Sequence, residues 1–170
     1  MILLGVGSNL SSSFGNRFKN IDLAISALNQ HGLITIKKSS YYESLSYPDI
    51  NKPKFINIII EMKTDLTPED LAGIIIFIEE SLERKRVNKN DPRTCDIDII
   101  DFNNKILDFN YKNLKFSVPH KMIKFRNFVL YPLQEIKPNW QHPKTKDLVV
   151  DLIENLNDQD KKSILKVNKY

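Results

Sequence analysis

Hydrophobic and polar positions alternate with two different periods along the first part of the chain. An apolar run from Ile2 to Val6 ends at the turn-forming Gly7-Ser8-Asn9, which predicts a first β-strand. Apolar residues then recur at helical spacing from Ile21 to Leu28, and His31-Gly32 closes this predicted amphipathic helix. The segment from Leu33 to Glu43 predicts a strand or a pair of strands.

The same kind of pattern continues through the middle of the chain. Phe55 to Met62 is rich in β-branched residues and predicts a strand. Thr67-Pro68-Glu69-Asp70 has the capping residue, the proline and the acids of a helix start, and an apolar stripe follows from Leu71 to Leu82. Cys95 to Phe102 predicts a further strand, and a short hairpin is expected around Asn103-Asn104.

The order of these elements defines the predicted fold class. A β-α-β-β-α-β order is typical of an α+β, ferredoxin-like core, in which helices back an antiparallel sheet. The chain after Phe102 is then a C-terminal extension, with a mixed, loop-like segment at Pro119–Phe128 and short helices at Val129–Ile136 and Leu148–Leu156. Because we find no repeat or linker, residues 1–170 are predicted to form one domain.

The composition limits the cellular compartments and the binding partners that suit this protein. Hydrophobic residues make up 41% and charged residues 27% of the chain, as in ordinary globular proteins. The single cysteine, Cys95, excludes an intramolecular disulfide and favours a reducing, cytoplasmic location. No apolar run reaches the roughly 18 residues of a membrane helix, so no membrane partner is expected. The net charge of +4 suits a polyanionic ligand such as nucleic acid, a membrane surface or a nucleotide.

The arginines are few and unevenly distributed. Four of them, Arg84, Arg86, Arg93 and Arg126, lie in one quarter of a chain that otherwise prefers lysine. A guanidinium group can grip two phosphate oxygens at once, which lysine cannot do. The cluster therefore indicates phosphate contacts, although a solvated basic face would give the same count.

Two acids, Asp96 and Asp98, lie just after Pro92-Arg93-Thr94-Cys95. Asp96 and Asp98 are two positions apart on a predicted strand, so they share one face, while Ile97 and Ile99 share the other. Paired carboxylates repel each other unless a cation lies between them, and Mg²⁺ binds through one or two carboxylates plus substrate phosphates and water. The pattern predicts a magnesium site, and the alternative is a solvated strand face.

A second pair of positions indicates a flat ligand. Phe55 and Asn57 share a strand face, and this combination can stack on a heterocycle and hydrogen-bond its edge. Phe128 is a candidate for a second stacking wall, and simple core packing is the alternative for each ring. The sequence has neither a P-loop nor the kinase signature motifs, and the spacing of its histidines does not fit a zinc site.

Taken together, these segments resemble a known family, 6-hydroxymethyl-7,8-dihydropterin pyrophosphokinase. The resemblance extends from Leu3 to about Pro143, and Pro-Arg-Thr-x-Asp-x-Asp is its most specific part. The matching segments are Gly7-Ser8-Asn9-Leu10, Phe55-Ile56-Asn57, Pro92 to Ile99, Val118-Pro119-His120 and Arg126-Asn127-Phe128. The Val87–Asp91 loop lacks the tryptophan that many relatives carry, and Ser44-Leu45 stands where the family often has Thr-Pro.

The resemblance implies an activity and a set of site residues. The family transfers the pyrophosphoryl group of ATP to the hydroxymethyl oxygen of the pterin in folate biosynthesis and releases AMP. It implies two Mg²⁺ ions on Asp96 and Asp98, with Arg84 and Arg93 as the other catalytic residues. The implied pterin contacts are Ser44, Leu45, Phe55, Asn57 and Phe128, and the implied ATP contacts are Glu79, Arg84, Arg86, Arg93, Ile99, His120 and Arg126.

Further expectations concern mobility and partners. Ser44–Pro53 and Val87–Asp91 are predicted to form a lid that excludes water. The chain is expected to be a monomer that does not bind nucleic acid, with association with other folate enzymes as an option. Two alternatives stay open: an RNA-binding module with a ferredoxin-like fold, and a pyrophosphokinase that acts on another alcohol.

Overall fold

A computed structural model describes residues 1–88 and 90–169 of the chain. Lys89, which belongs to the predicted Val87–Asp91 lid, and the terminal Tyr170 lie outside the described residues. In the described part no helix is long and apolar enough to cross a membrane.

The first two thirds of the chain contain the predicted β-α-β-β-α-β elements. Their bounds are β1 (Ile2–Ser8), α1 (Arg17–Gln30), β2 (Ile34–Lys38), β3 (Tyr41–Ser44), β4 (Phe55–Lys63), α2 (Pro68–Ser81) and β5 (Asp96–Phe102). The extension adds β6 (Leu107–Tyr111), β7 (Leu114–Val118), a 3-10 helix (Ile123–Phe125), α3 (Asn127–Ile136), α4 (Val149–Glu154), α5 (Asp158–Lys162) and β8 (Ile164–Val167).

The main sheet has the strand order of a ferredoxin-like core. The strands run β5-β1-β4-β3-β8, and β2 pairs with β4 beyond the end of β3. All of these pairs are antiparallel. The predicted fold class is therefore confirmed, and the segment predicted as a strand or strand pair forms two strands, β2 and β3.

Two apolar layers hold the sheet between helices. Alternate residues of the central strands, among them Val6, Ile58 and Ile97, are buried against α1 and α2. The residues between them, such as Leu3, Ile59 and Ile100, are buried against α3 and α4. This two-residue alternation is typical of strands that are buried on both faces. The C-terminal extension therefore covers one face of the sheet, and its strand β8 also adds to the sheet beside β3.

Local signals in the sequence set the helix ends. The Asn16 side chain accepts a hydrogen bond from the backbone of Lys19 and caps α1, and Thr67 caps α2 in the same way. Gly32 ends the first helical segment with φ of +85°, a conformation that glycine adopts without steric cost.

Two predictions about local structure are wrong. The hairpin lies later than predicted, since β6 and β7 pair across Lys112-Asn113, whereas Asn103-Asn104 only turns the chain out of β5. The strand β1 also continues through Gly7 to Ser8, where the sequence predicted a turn.

Candidate active site

One glycine of β1, Gly7, forms the floor of a polar surface at one end of the sheet. Gly7 pairs with Asn57 of β4 on one side and with Asp96 of β5 on the other. Directly opposite residues point to the same face of a sheet, so these three positions form one row. A Cβ atom at Gly7 would lie 3.1 Å from Asn57 Oδ1 and crowd it. Glycine therefore keeps the surface between Asn57 and Asp96 low and open.

The two predicted acids lie beside this floor and each contacts arginine. Asp96 accepts hydrogen bonds from Arg84, at 2.6 Å, and from Arg93. Asp98 accepts one from Arg126 at 2.8 Å. Burial disfavours the charged form of Asp96, but the adjacent guanidinium groups outweigh it and lower the pKa of this carboxyl from 3.8 to about 2.

A buried acid of α2, Glu79, holds two of the clustered arginines in place. The Glu79 carboxylate pairs with Arg84 and Arg86, and it accepts a 2.7 Å hydrogen bond from the backbone of Ile97. Its side chain is only 2% exposed. Burial raises the pKa of Glu79 from 4.5 to about 7, against the opposing effect of Arg84 and in the same direction as the charge of Asp96. Glu79 therefore fixes the positions of both guanidinium groups.

The two predicted aromatic walls also carry arginines. The Arg93 guanidinium lies 4.9 Å from the centre of the Phe55 ring, and the Arg126 guanidinium lies 5.4 Å from that of Phe128. Cation–π contacts of this kind are weak at exposed sites. Arg93 and Arg126 thus bridge from aromatic rings to the acids of β5.

The Asn57 amide is fixed in one orientation. Its Nδ2 donates to Ser44 Oγ at 3.0 Å and, at 3.4 Å, to the backbone carbonyl of Tyr42. The carbonyl oxygen Oδ1 is the atom that lies over Gly7, and an amide oxygen can accept a hydrogen bond from a ligand. Leu45 follows Ser44 directly at the end of β3 and is half-buried.

A cavity of about 200 Å³ lies between β5, β7 and α2, next to the acids. Glu79, Asp96, Ile99 and His120 are among its lining residues. The side chain of Ile99 packs in the core, so this residue borders the cavity at the strand edge. Burial and the charge of Arg126 lower the pKa of His120 below 6.5, which keeps the imidazole neutral at pH 7.

Most of the site residues predicted from the sequence thus come together. The two acids, the four clustered arginines and Glu79 form one charged surface with His120 at its border, and Asn57 and Phe55 lie across the glycine floor from it. Sequence reasoning missed Gly7 as the floor and Asn9 as a contact of Arg93. The Gly7-Ser8-Asn9 motif was visible as a turn signal, but only the strand register shows what its side chains contact.

The donor set of the site fits magnesium. Among the residues described, no cluster of three or more His, Cys, Asp or Glu side chains could hold a metal ion. Two carboxylates on one face are nevertheless the protein contribution that Mg²⁺ takes when phosphates and water complete its shell. Bound phosphates would also give Arg93 and Arg126 other anionic partners, which would release the carboxylate oxygens that they now contact.

The fold and the site define an enzyme that transfers a phosphate-containing group, with a ferredoxin-like core. Residues 3–138 match the family model of 7,8-dihydro-6-hydroxymethylpterin-pyrophosphokinase. The chain belongs to this family of ATP-dependent pyrophosphokinases of folate synthesis.

Individual relatives agree with this assignment. The chain is 37% identical over 143 residues to 2-amino-4-hydroxy-6-hydroxymethyldihydropteridine pyrophosphokinase of Aquifex aeolicus, which covers 84% of this chain and 83% of that protein. It is 34% identical over 164 residues to Folic acid synthesis protein fol1 of Pneumocystis carinii, over 96% of this chain but only 21% of that protein.

A solved structure shows the same fold. The crystal structure of Plasmodium falciparum HPPK-DHPS A437G with pteroate superposes with a TM-score of 0.75 at 15% identity. The match covers 97% of this chain and 46% of that one. This chain therefore spans less than half of the Plasmodium protein and about a fifth of the Pneumocystis protein.

Proposed function

We propose that the surface around Gly7 is where this protein transfers the pyrophosphoryl group of ATP to 6-hydroxymethyl-7,8-dihydropterin and releases AMP. The observation that carries the proposal is the row formed by Asn57, Gly7 and Asp96. It puts a hydrogen-bonding group for a flat heterocycle and a metal-binding acid on opposite sides of a low floor. A hydroxymethyl group on such a ring would point across the floor towards the acids.

On the acceptor side, Asn57 and the aromatic rings bind the pterin. Asn57 Oδ1 accepts from the N–H edge of the ring, because its amide nitrogen is already engaged by Ser44 and Tyr42. Phe55 and Phe128 supply stacking faces once their arginines turn towards phosphate. Ser44 and Leu45 border the ring at the end of β3.

On the donor side, the nucleotide occupies the cavity beside β5. The backbone N–H of Ile97 points outwards to Glu79, so the N–H and C=O of Ile99, two residues along, face the same open strand edge. An adenine base can hydrogen-bond to such an edge. Its triphosphate then extends towards the arginines and His120.

Two Mg²⁺ ions, held by Asp96 and Asp98, would neutralise the phosphates and lower the pKa of the attacking hydroxyl. Arg84 and Arg93 stabilise the negative charge that develops on the transferred group, because both already lie against Asp96. Glu79 holds Arg84 and Arg86 in place throughout. The acceptor oxygen attacks the β-phosphorus, the bond from that phosphorus to the α-phosphate oxygen breaks, and AMP leaves.

The remaining points of the proposal concern the whole protein. Residues 1–170 act as a single domain, supported by two apolar layers that share one sheet. A cytoplasmic location is supported by the single, buried cysteine. Association with other folate enzymes is supported by the multidomain relatives, whose names include Folic acid synthesis protein fol1 and HPPK-DHPS. That the chain is a monomer stays a prediction, which light scattering can test.

An AMP-release assay with the pterin alcohol, ATP and magnesium tests the proposal. We expect Asp96→Ala to lose at least a thousandfold in rate, since it removes both a metal ligand and the partner of two arginines. The matched control is Asp108→Ala, which changes an exposed acid of β6 that pairs with Ser117 and Lys121. Equal rates for the two variants would refute the assignment of the site.

Calorimetry separates the pterin from other acceptors. Phe55→Ala and Asn57→Ala should weaken pterin binding while leaving the binding of magnesium-ATP nearly unchanged. If both variants bind the pterin as tightly as the wild-type protein does, the acceptor is another alcohol. Magnesium-independent binding of RNA with no AMP release would favour the RNA-binding alternative.

A further inference from the structure

A buried amide directly after β1 joins two segments that border the active site. Asn9 is buried, with only 3% of its surface exposed, and both ends of its side-chain amide form hydrogen bonds. Oδ1 accepts a 2.6 Å hydrogen bond from the backbone N–H of Arg93. Nδ2 donates to the carbonyl of Pro53 at 3.0 Å and to Ser46 Oγ at 3.3 Å.

The contact with Arg93 is reciprocal. The backbone N–H of Asn9 donates to the carbonyl of Arg93 at 3.0 Å, and the N–H of Leu10 donates to the same oxygen at 3.2 Å. Both backbone polar groups of Arg93 are therefore fixed against the end of β1. Its guanidinium extends from this anchor to Asp96 and over the Phe55 ring.

The amide nitrogen of Asn9 joins the two ends of a loop, at Ser46 and Pro53. Ser46 Oγ also donates to the carbonyl of Pro53, at 2.6 Å, so the loop of residues 46–53 starts and ends at Asn9. The far side of this loop reaches the segment before Arg93, where Lys52 Nζ donates to the carbonyl of Asn90 at 3.0 Å. The loop and the Arg93 segment are thus joined at two points.

We propose that Asn9 is a positioning residue for pyrophosphoryl transfer, because it couples the 46–53 loop to the backbone of Arg93. Asparagine suits this role, since it offers an acceptor and a donor on one short, uncharged side chain. Aspartate could still accept from Arg93 but has no hydrogen to give to Pro53. The inference rests on the role in catalysis that the proposed function gives to Arg93.

Substitution of Asn9 tests the coupling. Asn9→Ala should lower kcat about 10–100-fold, because small displacements of a catalytic group have effects of this size. Asn9→Asp, which keeps the shape and the Arg93 contact, should lower kcat less and raise the KM for the pterin. If Asn9→Ala does not fold, the isosteric Asn9→Asp variant still tests the coupling.

Asn20→Ala is the matched control. Asn20 is also fully buried and donates to the carbonyl of Leu10 at 3.0 Å, but its side-chain partners among the described residues, Leu10 and Ser12, belong to neither the 46–53 loop nor the Arg93 segment. This variant should lower the urea midpoint while kcat stays within about twofold of wild type. An equal loss of kcat in Asn20→Ala and Asn9→Ala would overturn the inference.

A double-mutant cycle with Arg93→Ala distinguishes positioning from general stability. If Asn9 acts through Arg93, then adding Asn9→Ala to Arg93→Ala should reduce kcat by less than about twofold. Independent, multiplicative losses would refute the coupling and leave the proposed function intact. A wild-type kcat for Arg93→Ala alone would refute the catalytic role of Arg93, and with it the premise of the inference.

Discussion

Replacing Asp96 by asparagine removes the negative charge that Arg84 and Arg93 share in the structure. The shape of the side chain stays nearly the same, so the change tests charge and not packing. Two cations at the edge of the sheet are left facing an amide. We therefore expect the variant to be less stable than the wild-type protein at neutral pH.

The size of the effect follows from the pKa of Asp96. This pKa falls from 3.8 to about 2 in the folded protein, and each pKa unit corresponds to about 1.4 kcal/mol, so the ionised form stabilises the fold by about 2 kcal/mol. In a chain of this length, each 1 kcal/mol shifts the melting temperature by about 2–4 °C. We expect a decrease of about 4–8 °C for Asp96→Asn at pH 7.

The pH dependence has a defined sign. Because the pKa of Asp96 is lowered on folding, its contribution is complete above about pH 4 and is lost as the pH falls through about 2. The free energies of unfolding of wild type and Asp96→Asn should therefore converge between pH 4 and pH 2. Urea titrations of both proteins, followed by circular dichroism at each pH, measure this difference.

One result would refute this reasoning. If the two proteins differ in stability by the same amount at pH 2.5 and pH 7, then the ionisation of Asp96 does not contribute in the way that its contacts indicate. Asp108→Asn is the control, because its carboxylate is exposed and should change the stability by less than about 0.5 kcal/mol.

Three further predictions concern other parts of the molecule. Gly7→Ala should weaken pterin binding about tenfold in calorimetry, because its methyl group would crowd Asn57 Oδ1 at 3.1 Å. Because the pKa of Glu79 is raised to about 7, the wild-type protein should lose about 3 kcal/mol of stability relative to Glu79→Gln between pH 4.5 and pH 7, as measured by urea unfolding. Trp140→Phe, which leaves the buried carboxylate of Asp101 without its 2.8 Å donor, should cost about 1–3 kcal/mol in urea unfolding at unchanged kcat.

Each of these predictions has a contrary outcome. Unchanged pterin affinity in Gly7→Ala would show that the ligand does not lie on the glycine floor. A stability difference between wild type and Glu79→Gln that is independent of pH would place the pKa of Glu79 near its ordinary value. A loss of kcat in Trp140→Phe would show that the α3–α4 layer contributes to catalysis as well as to folding.

The periodicity of hydrophobic residues alone predicted the core elements of the fold. The β-branched run at 55–62 and the capped helix from Pro68 are strong local signals, and the structure has both close to the predicted bounds. Strand β8 gave no such signal, because it is short and partly exposed. It forms by pairing with β3, more than a hundred residues earlier in the chain.

For the site, the sequence by itself determined which side chains share a face within one strand. Alternation put Asp96 beside Asp98, and Phe55 beside Asn57, because the period of a strand is a property of the local backbone. Only the tertiary structure decided that β1 lies between these two strands, with Gly7 as the floor. Strand order and register depend on long-range pairing, which no short stretch of sequence specifies. The same reason explains Asn9, whose partners at 46, 53 and 93 come together only in the folded chain.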